Sequence, residues 1–239
     1  MDLYEIYRLL LNHFGEQGWW PTTREGEEKP RHRGEEPKTE RQKLEIVVGA
    51  ILTQNTSWKN VEKAIERLNK SGMMDLERLD EIETEKLAQM IRSSGYYNQK
   101  AKRIKDFVRF VKERYNGRIS NLFSLDIGRL REELLSIKGI GKETADSIIL
   151  YAALKPIFVV DEYTRRIINR LGIDLKGYDD IQKLFMESLP KDRKIYAEYH
   201  ALLVRLGKDV CKKKKPICER CPLSRMCRYP KSMENYTNR

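Results

Sequence analysis

The segment that most constrains the fold lies at residues 134–145, where an apolar helix end, a Gly-Ile-Gly turn and a second helix start follow one another directly. Gly139 and Gly141 permit a tight turn and leave backbone N–H groups uncovered. The second helix adds its own unpaired N–H groups and the positive end of its dipole. Flanked by Lys138 and Lys142, these groups form a phosphate seat that is blind to base sequence. An ordinary helical corner with glycine caps is the alternative.

Apolar residues recur every three to four positions along most of the chain, a spacing that places them on one face of a helix. The pattern is clearest in four segments, at 3–10, 44–52, 104–111 and 148–152. Only residues 156–160 look strand-like, and that run is too short to decide. We therefore predict an all-α fold.

We divide this fold into two helical domains. Residues 44–155 are predicted to form a helical barrel domain that contains a helix–hairpin–helix at 134–150. Residues 1–21 and 156–239 are predicted to form a terminal domain, which carries a cysteine-rich loop at 211–227.

Residues 22–43 are predicted to be a flexible charged insertion. The part from 22 to 42 holds six basic and six acidic residues, two prolines and no aliphatic or aromatic residue. Such a segment buries no apolar surface that could offset its ordering entropy. We therefore expect it to be solvated.

The chain is basic, with a formal net charge of +11 from 47 Lys+Arg against 36 Asp+Glu. A surplus of this size favours polyanionic partners, because each neutralised phosphate releases counterions, although solubility alone also explains it. No apolar run is long enough to span a bilayer, and the N-terminus lacks the plan of a secretory signal. We expect a monomeric, soluble protein of the prokaryotic cytoplasm, associated with the nucleoid.

All four cysteines fall within one short loop, as Cys211-x6-Cys218-x2-Cys221-x5-Cys227. Four thiolates suit either zinc or an iron–sulfur cube. Zinc sites more often use two close pairs, and only Cys218 and Cys221 are so paired here. Eight basic and two acidic residues surround the cysteines at 207–228, so the loop also presents positive charge for phosphates.

The hairpin and the motif Val159-Val160-Asp161, twenty residues beyond Gly141, together resemble the endonuclease III superfamily of helix–hairpin–helix DNA glycosylases. The resemblance implies base excision repair of double-stranded DNA, with Asp161 as the catalytic carboxylate. Glycosidic cleavage passes through an oxocarbenium-like state, which a carboxylate stabilises. Taken alone, Asp161 is also an ordinary helix N-cap.

Bifunctional members of this superfamily carry a nucleophilic lysine two residues after the second hairpin glycine. Glu143 occupies that position here. Lys142 is adjacent, but one helical residue turns a side chain by about 100°, so it is better interpreted as a phosphate contact. The resemblance therefore implies a glycosylase that leaves an abasic site and uses water as nucleophile.

Three further motifs carry implied roles. Residues 51–56 resemble the loop whose glutamine, here Gln54, fills the gap left by an extruded base, and residues 94–101 resemble the loop that wedges a residue, here Tyr96, into the opposite strand. The 6-2-5 cysteine spacing is similar to the [4Fe–4S] loop of endonuclease III. The alternatives are a helix cap for residues 51–56, an ordinary turn for residues 94–101 and a zinc site for the four cysteines.

Trp19, Trp20 and Trp58 are all the tryptophans in the chain. Trp19-Trp20-Pro21, with an aromatic residue four positions after Gln54, resembles the 3-methyladenine DNA glycosylase III subfamily, in which these aromatics sandwich the extruded base. An N-alkylated purine is cationic and gains from aromatic faces through cation–π attraction. Burial in the core is the commoner fate of tryptophan.

We therefore predict a monofunctional DNA glycosylase for 3-methyladenine or another alkylated purine. One alternative is an enzyme of the same fold that acts on oxidised pyrimidines, uracil or mismatched bases. The other is a non-catalytic DNA-binding scaffold.

Overall fold

The computed structural model describes residues 1–229, and within them it contains α-helices, short 3₁₀ turns and a π-helical turn but no β-strand. The only ladder-like pairing in that range is an isolated bridge between Thr22 and Arg31. Residues 157–160 are buried but not part of a sheet. The predicted all-α fold is confirmed. No helix in residues 1–229 is both long and apolar enough to cross a membrane.

One compact unit spans Gly18–Lys155. Its α-helices are α2 (Glu40–Leu52), α3 (Trp58–Lys70), α4 (Leu76–Glu81), α5 (Thr84–Met90), α6 (Tyr97–Tyr115), α7 (Ile119–Phe123), α8 (Ile127–Ser136) and α9 (Lys142–Ser147). A 3₁₀ turn occupies Arg92–Ser94, and a π-helical turn, Ile148–Ala152, continues α9 without a break.

The centre of this unit is α2, in which every residue from Leu44 to Leu52 is buried. Around it, α6 turns one apolar face inward and buries Ile104, Phe107 and Val111. Aspartates cap the N-termini of several of the shorter helices. Asp126, for example, accepts a hydrogen bond from Arg129 N at 3.0 Å.

The other unit comprises Met1–Gln17 and the described residues from Pro156 onward. Its helices are α1 (Leu3–Phe14), α10 (Glu162–Leu171), α11 (Tyr178–Ser188) and α12 (Arg193–Asp209), followed by a 3₁₀ turn at Cys218–Arg220. The core of this unit is aromatic: Phe158 stacks on Phe185 with ring centroids 4.1 Å apart, and the buried rings of Tyr196 and Tyr199 meet Phe158 edge-on.

The structure departs from the predicted boundaries at residues 18–43. Residues 18–21 belong with the larger unit rather than with the N-terminal helix. Residues 40–43 are the first turn of α2, which Thr39 caps by accepting a hydrogen bond from Gln42 N at 3.2 Å.

The remaining segment, residues 22–39, is irregular and mostly exposed, as expected of a solvated segment, but it is anchored at a few buried residues. It buries Pro30 and Pro37 as well as Thr22 and Thr23. We predicted a flexible insertion because its composition offers little apolar surface. That expectation missed a buried carboxylate, Glu45, which accepts hydrogen bonds from this segment and so supplies a polar anchor in place of an apolar one.

Candidate active site

Asp161 caps α10 and is 8% exposed. Its Oδ1 accepts hydrogen bonds from the backbone N of Thr164 at 2.7 Å and from the Thr164 hydroxyl at 2.9 Å. Its Oδ2 lies 3.6 Å from Nε2 of His200 on α12. The N-cap and the catalytic interpretation are therefore compatible, because one oxygen caps the helix and the other faces an imidazole.

The surroundings of Asp161 keep it ionised. Burial alone would raise the pKa of this carboxyl, but His200 and the two hydrogen bonds from Thr164 outweigh burial and hold the pKa below its ordinary value. A carboxylate that is charged at neutral pH can stabilise positive charge as it develops on a sugar.

The helix–hairpin–helix is formed by α8, the turn and α9. Gly139 has φ +87°, a conformation that side chains rarely adopt, whereas Gly141 has an ordinary φ of −93° and caps α9. Across the hairpin, Arg131 donates two hydrogen bonds to the carboxylate of Asp146, at 2.7 and 3.2 Å. This ion pair fixes the two helices on either side of the turn.

The outer surface of the hairpin is open. Lys138, Gly139, Gly141 and Lys142 are all exposed, and a Cβ atom added at Gly141 would meet nothing within 4 Å. Within residues 1–229, no hydrogen bond involves the backbone N–H of Gly139 or Gly141. These N–H groups are the ones assigned to the phosphate seat, and their role in phosphate binding stays a prediction. Glu143, at the position of the superfamily lysine, is also exposed on the first turn of α9.

Gln54 lies against the inner side of the same hairpin. Its Nε2 donates to the carbonyl oxygen of Gly139 at 3.2 Å and to the hydroxyl of Thr144 at 2.9 Å. Its Oε1 accepts a short hydrogen bond from the guanidinium of Arg103 on α6. Arg103 also packs on Gly139, where an added Cβ would lie 2.5 Å from the Arg103 Nε.

Tyr96, the predicted wedge, is 67% exposed. Its φ of +46° places it in the left-handed region immediately before α6, so the loop projects the ring outward. Behind it, buried Lys100 donates to the carbonyl oxygens of Leu52 at 2.8 Å and Ser94 at 2.7 Å. Lys100 thus ties the end of α2, next to the Gln54 loop, to the Tyr96 loop.

The three tryptophans form one cluster, the aromatic cluster, which also includes Tyr151 from the π-helical turn. Ring centroids are 5.2 Å apart for Trp19 and Trp20, 5.0 Å for Trp19 and Trp58, and 5.6 Å for Trp20 and Trp58. Trp20 is 6% exposed, packs on Tyr151 at 5.2 Å and lies against Gly49. Trp19 and Trp58 are half-buried.

The tryptophan planes meet at 71–90°, so the rings pack edge to face, as rings in a protein core often do. One detail sets this cluster apart from an ordinary core. The indole N–H of Trp58 is buried and has no hydrogen-bond partner within the described chain. A buried donor left in this way is costly and can be satisfied by a ligand. Pro21, next to Trp20, is buried.

The four cysteines line one small cavity of about 20 Å³. No set of three or more His, Cys, Asp or Glu side chains in the described residues is close enough to share one metal ion. Arg170 also lines the cavity and donates a hydrogen bond to Cys211 Sγ at 3.1 Å.

Burial raises the pKa of the Cys221 thiol to about 11 and also raises the pKa of Cys218 and Cys227. These groups become thiolates at neutral pH only with a positive counter-charge, which a metal centre provides. The donor set is therefore compatible with an iron–sulfur cluster.

These features define a DNA repair enzyme of one family. Residues 48–191 match the HhH-GPD superfamily of base excision DNA repair proteins, and the chain belongs to this superfamily. It is a DNA glycosylase of base excision repair.

Among named proteins, the chain is 44% identical over 229 residues to a provisionally named DNA repair glycosylase of Methanocaldococcus jannaschii, covering 94% of this chain and 95% of the relative. It is 31% identical to endonuclease III of Thermotoga maritima, covering 77% and 82%. Its structure is similar to that of the 3-methyladenine DNA glycosylase of Helicobacter pylori bound to 1,N6-ethenoadenine, with a TM-score of 0.71, 31% identity and coverage of 87% and 98%.

Sequence reasoning did not identify His200, Arg103, Lys100 or His32, which contacts the aromatic cluster. Their roles arise from contacts between residues distant in the chain. A lone histidine or a lysine in a basic helix carries no local signal of such a contact.

Proposed function

We propose that this protein is a monofunctional DNA glycosylase that hydrolyses the N-glycosidic bond of an alkylated purine such as 3-methyladenine and leaves an abasic site. The observation that carries the proposal is the aromatic cluster, in which Trp19, Trp20 and Trp58 meet beside a buried, unsatisfied indole N–H. Aromatic faces bind a cationic purine, and the Trp58 N–H matches a ring nitrogen or carbonyl acceptor.

The chemistry expected of this substrate is undemanding. An alkylated purine carries positive charge and departs readily, so the enzyme needs little acid catalysis. Asp161, held as a carboxylate, would stabilise the oxocarbenium-like sugar and orient or deprotonate the attacking water.

The absence of a lysine at position 143 supports hydrolysis rather than strand cleavage. A lyase needs an amine that attacks the sugar and forms a Schiff base. Glu143 cannot form that adduct, and a negative charge beside the sugar would not assist it. Borohydride should therefore trap no covalent complex between the protein and a damaged duplex; efficient trapping would contradict the monofunctional assignment.

Extrusion of the base would be completed by side chains of the larger unit. Exposed Tyr96 would wedge into the duplex, Gln54 would fill the gap, and the hairpin with Lys138 and Lys142 would hold the backbone phosphates.

Cys211, Cys218, Cys221 and Cys227 would hold a [4Fe–4S] cluster, whose role would be to shape the basic loop for phosphate contact. The purified protein should then be brown, with absorbance at about 400–420 nm. A colourless preparation that contains zinc would contradict this assignment.

A substrate panel tests the function directly. Duplexes carrying 3-methyladenine, uracil or thymine glycol are incubated with the protein, and abasic sites are revealed with heat and alkali. Release of 3-methyladenine is the expected result. Release of uracil alone would favour the endonuclease III-like alternative, and release of nothing would leave a DNA-binding scaffold.

A further inference from the structure

The charged segment 22–39 reaches the aromatic cluster through the side chain of His32. The imidazole of His32 lies 5.0 Å from the ring of Trp19 and 6.2 Å from the ring of Trp58, inclined by 73° and 67°. His32 is exposed, whereas Trp20 on the far side of the cluster is 6% exposed. His32 therefore forms the outer edge of the cluster.

The segment is anchored so that His32 stays at this position. Thr23 donates its backbone N–H and its hydroxyl to Glu45 Oε1 at 2.8 and 2.9 Å. Asn69 on α3 donates to the Thr23 hydroxyl at 2.9 Å and to the carbonyl oxygen of Glu28 at 3.0 Å. These contacts join the segment to two helices of the larger unit.

Close to His32 the backbone itself is clamped. Arg31 N donates to Thr22 O at 3.1 Å, and Gly34 N donates to Gly18 O at 3.3 Å. A Cβ at Gly18 would lie 3.2 Å from the carbonyl carbon of His32, so the chain passes directly over residue 18, next to Trp19.

Stacking on both faces of a base needs parallel rings about 7 Å apart. Binding of a base would therefore reorient Trp19 and Trp58, which are half-buried, whereas Trp20 is buried against Tyr151 and Gly49. His32 touches the rings of Trp19 and Trp58. Any base that enters between them therefore meets the imidazole.

We propose that His32 is a base-contacting residue of this enzyme and that segment 22–39 serves to present it over the extruded base. This inference rests on the proposed function of the aromatic cluster as the base site. The imidazole offers a flat face on which a base can stack. It would discriminate among purines at the outer face of the base site, away from Trp20.

Intrinsic fluorescence tests the proposal without catalysis, because all three tryptophans of the chain lie in the cluster. The full-length protein is titrated with free 3-methyladenine, hypoxanthine and uracil. His32→Ala should weaken binding of the preferred base by about three- to tenfold, the range expected for loss of one ring contact. Arg31→Ala, an exposed neighbour on the same segment, should bind as the wild type does.

Equal affinity and equal single-turnover release in wild type and His32→Ala would overturn the proposal. His32→Phe keeps a ring and should recover most of the affinity, while a Phe variant as weak as the Ala variant would count against a ring contact. Melting temperatures of the variants guard against a folding defect.

The two proposals fail in different ways. Preference for uracil over 3-methyladenine would contradict the alkylpurine assignment but leave the His32 comparison intact on uracil. If none of the free bases quenches the tryptophan fluorescence, the role of His32 is overturned. The glycosylase activity is then still tested separately, by release of the base from damaged duplexes.

Discussion

The side-chain amide of Gln54 donates a hydrogen bond to the carbonyl oxygen of Gly139, at 3.2 Å. The residue expected to fill the gap in damaged DNA is thus bound to the turn expected to hold the DNA backbone. Thr144 and Arg103 add further hydrogen bonds to the same amide. To enter the duplex, Gln54 has to release all three partners, so gap filling and phosphate binding involve the same small region.

We expect Gln54→Ala to lower single-turnover base release about tenfold, because an extruded base whose gap stays empty returns to the stack more readily. Binding to undamaged duplex should change little. Gln89→Ala, an exposed glutamine on α5, is the matched control. A Gln54→Ala enzyme with full activity would remove this residue from the extrusion step. Stopped-flow fluorescence of 2-aminopurine next to the lesion would measure the extruded population.

The two hairpin glycines should respond differently to alanine. Gly139→Ala forces a side chain into a left-handed conformation and against Arg103, so it should lower the free energy of unfolding by about 1–2 kcal/mol. Gly141→Ala meets open space in the protein and should lower the melting temperature less than Gly139→Ala does, yet weaken duplex binding about tenfold by blocking phosphate approach. Thermal melts and fluorescence anisotropy with duplex DNA separate the two effects. Unchanged anisotropy for Gly141→Ala would contradict the phosphate seat.

Asp161→Asn should reduce base release at least about 100-fold while duplex binding persists, because asparagine still caps α10 but carries no charge. Asp126→Asn is a matched control, since Asp126 caps α8 in the same manner. The control should keep full activity and a similar melting temperature. Comparable activity in both variants would show that Asp161 only caps its helix.

Lys100 predicts a pH dependence of stability. Burial lowers the pKa of its amine from 10.5 to about 8 in the folded protein. Between these two values the unfolded chain binds more protons than the folded chain, so the contribution of Lys100 to stability rises with pH over this window. Urea unfolding of wild type and Lys100→Met from pH 7 to 10.5 measures it. The wild type should gain stability relative to the variant as pH rises; a constant difference would contradict the lowered pKa.

Much of the fold could be predicted from the sequence, because helices and turns leave patterns among residues that are close together in the chain. Apolar periodicity predicts the buried faces of α2 and α6, and Gly139 with Gly141 marks the hairpin. The structure brings the four cysteines to one cavity, but their ligand and the roles of Asp161, Gln54 and Tyr96 remain predictions.

Composition could not predict how residues 22–39 are anchored, because it counts apolar surface and does not show where a carboxylate is buried. Glu45 looks like one more acidic residue in a helix, and only the fold shows that it accepts hydrogen bonds from Thr23. The contact between His32 and Trp19 depends on this anchor, so it was equally out of reach.

The π-helical turn at Ile148–Ala152 connects the helix–hairpin–helix to the aromatic cluster. The helix that starts at the phosphate seat runs without interruption into this turn, and Tyr151 on the turn supports Trp20. The proposed phosphate seat and the proposed base site therefore lie at the two ends of one short helical segment. A tilt of this segment on DNA binding would move Tyr151 against Trp20, so phosphate binding and the shape of the proposed base site would change together.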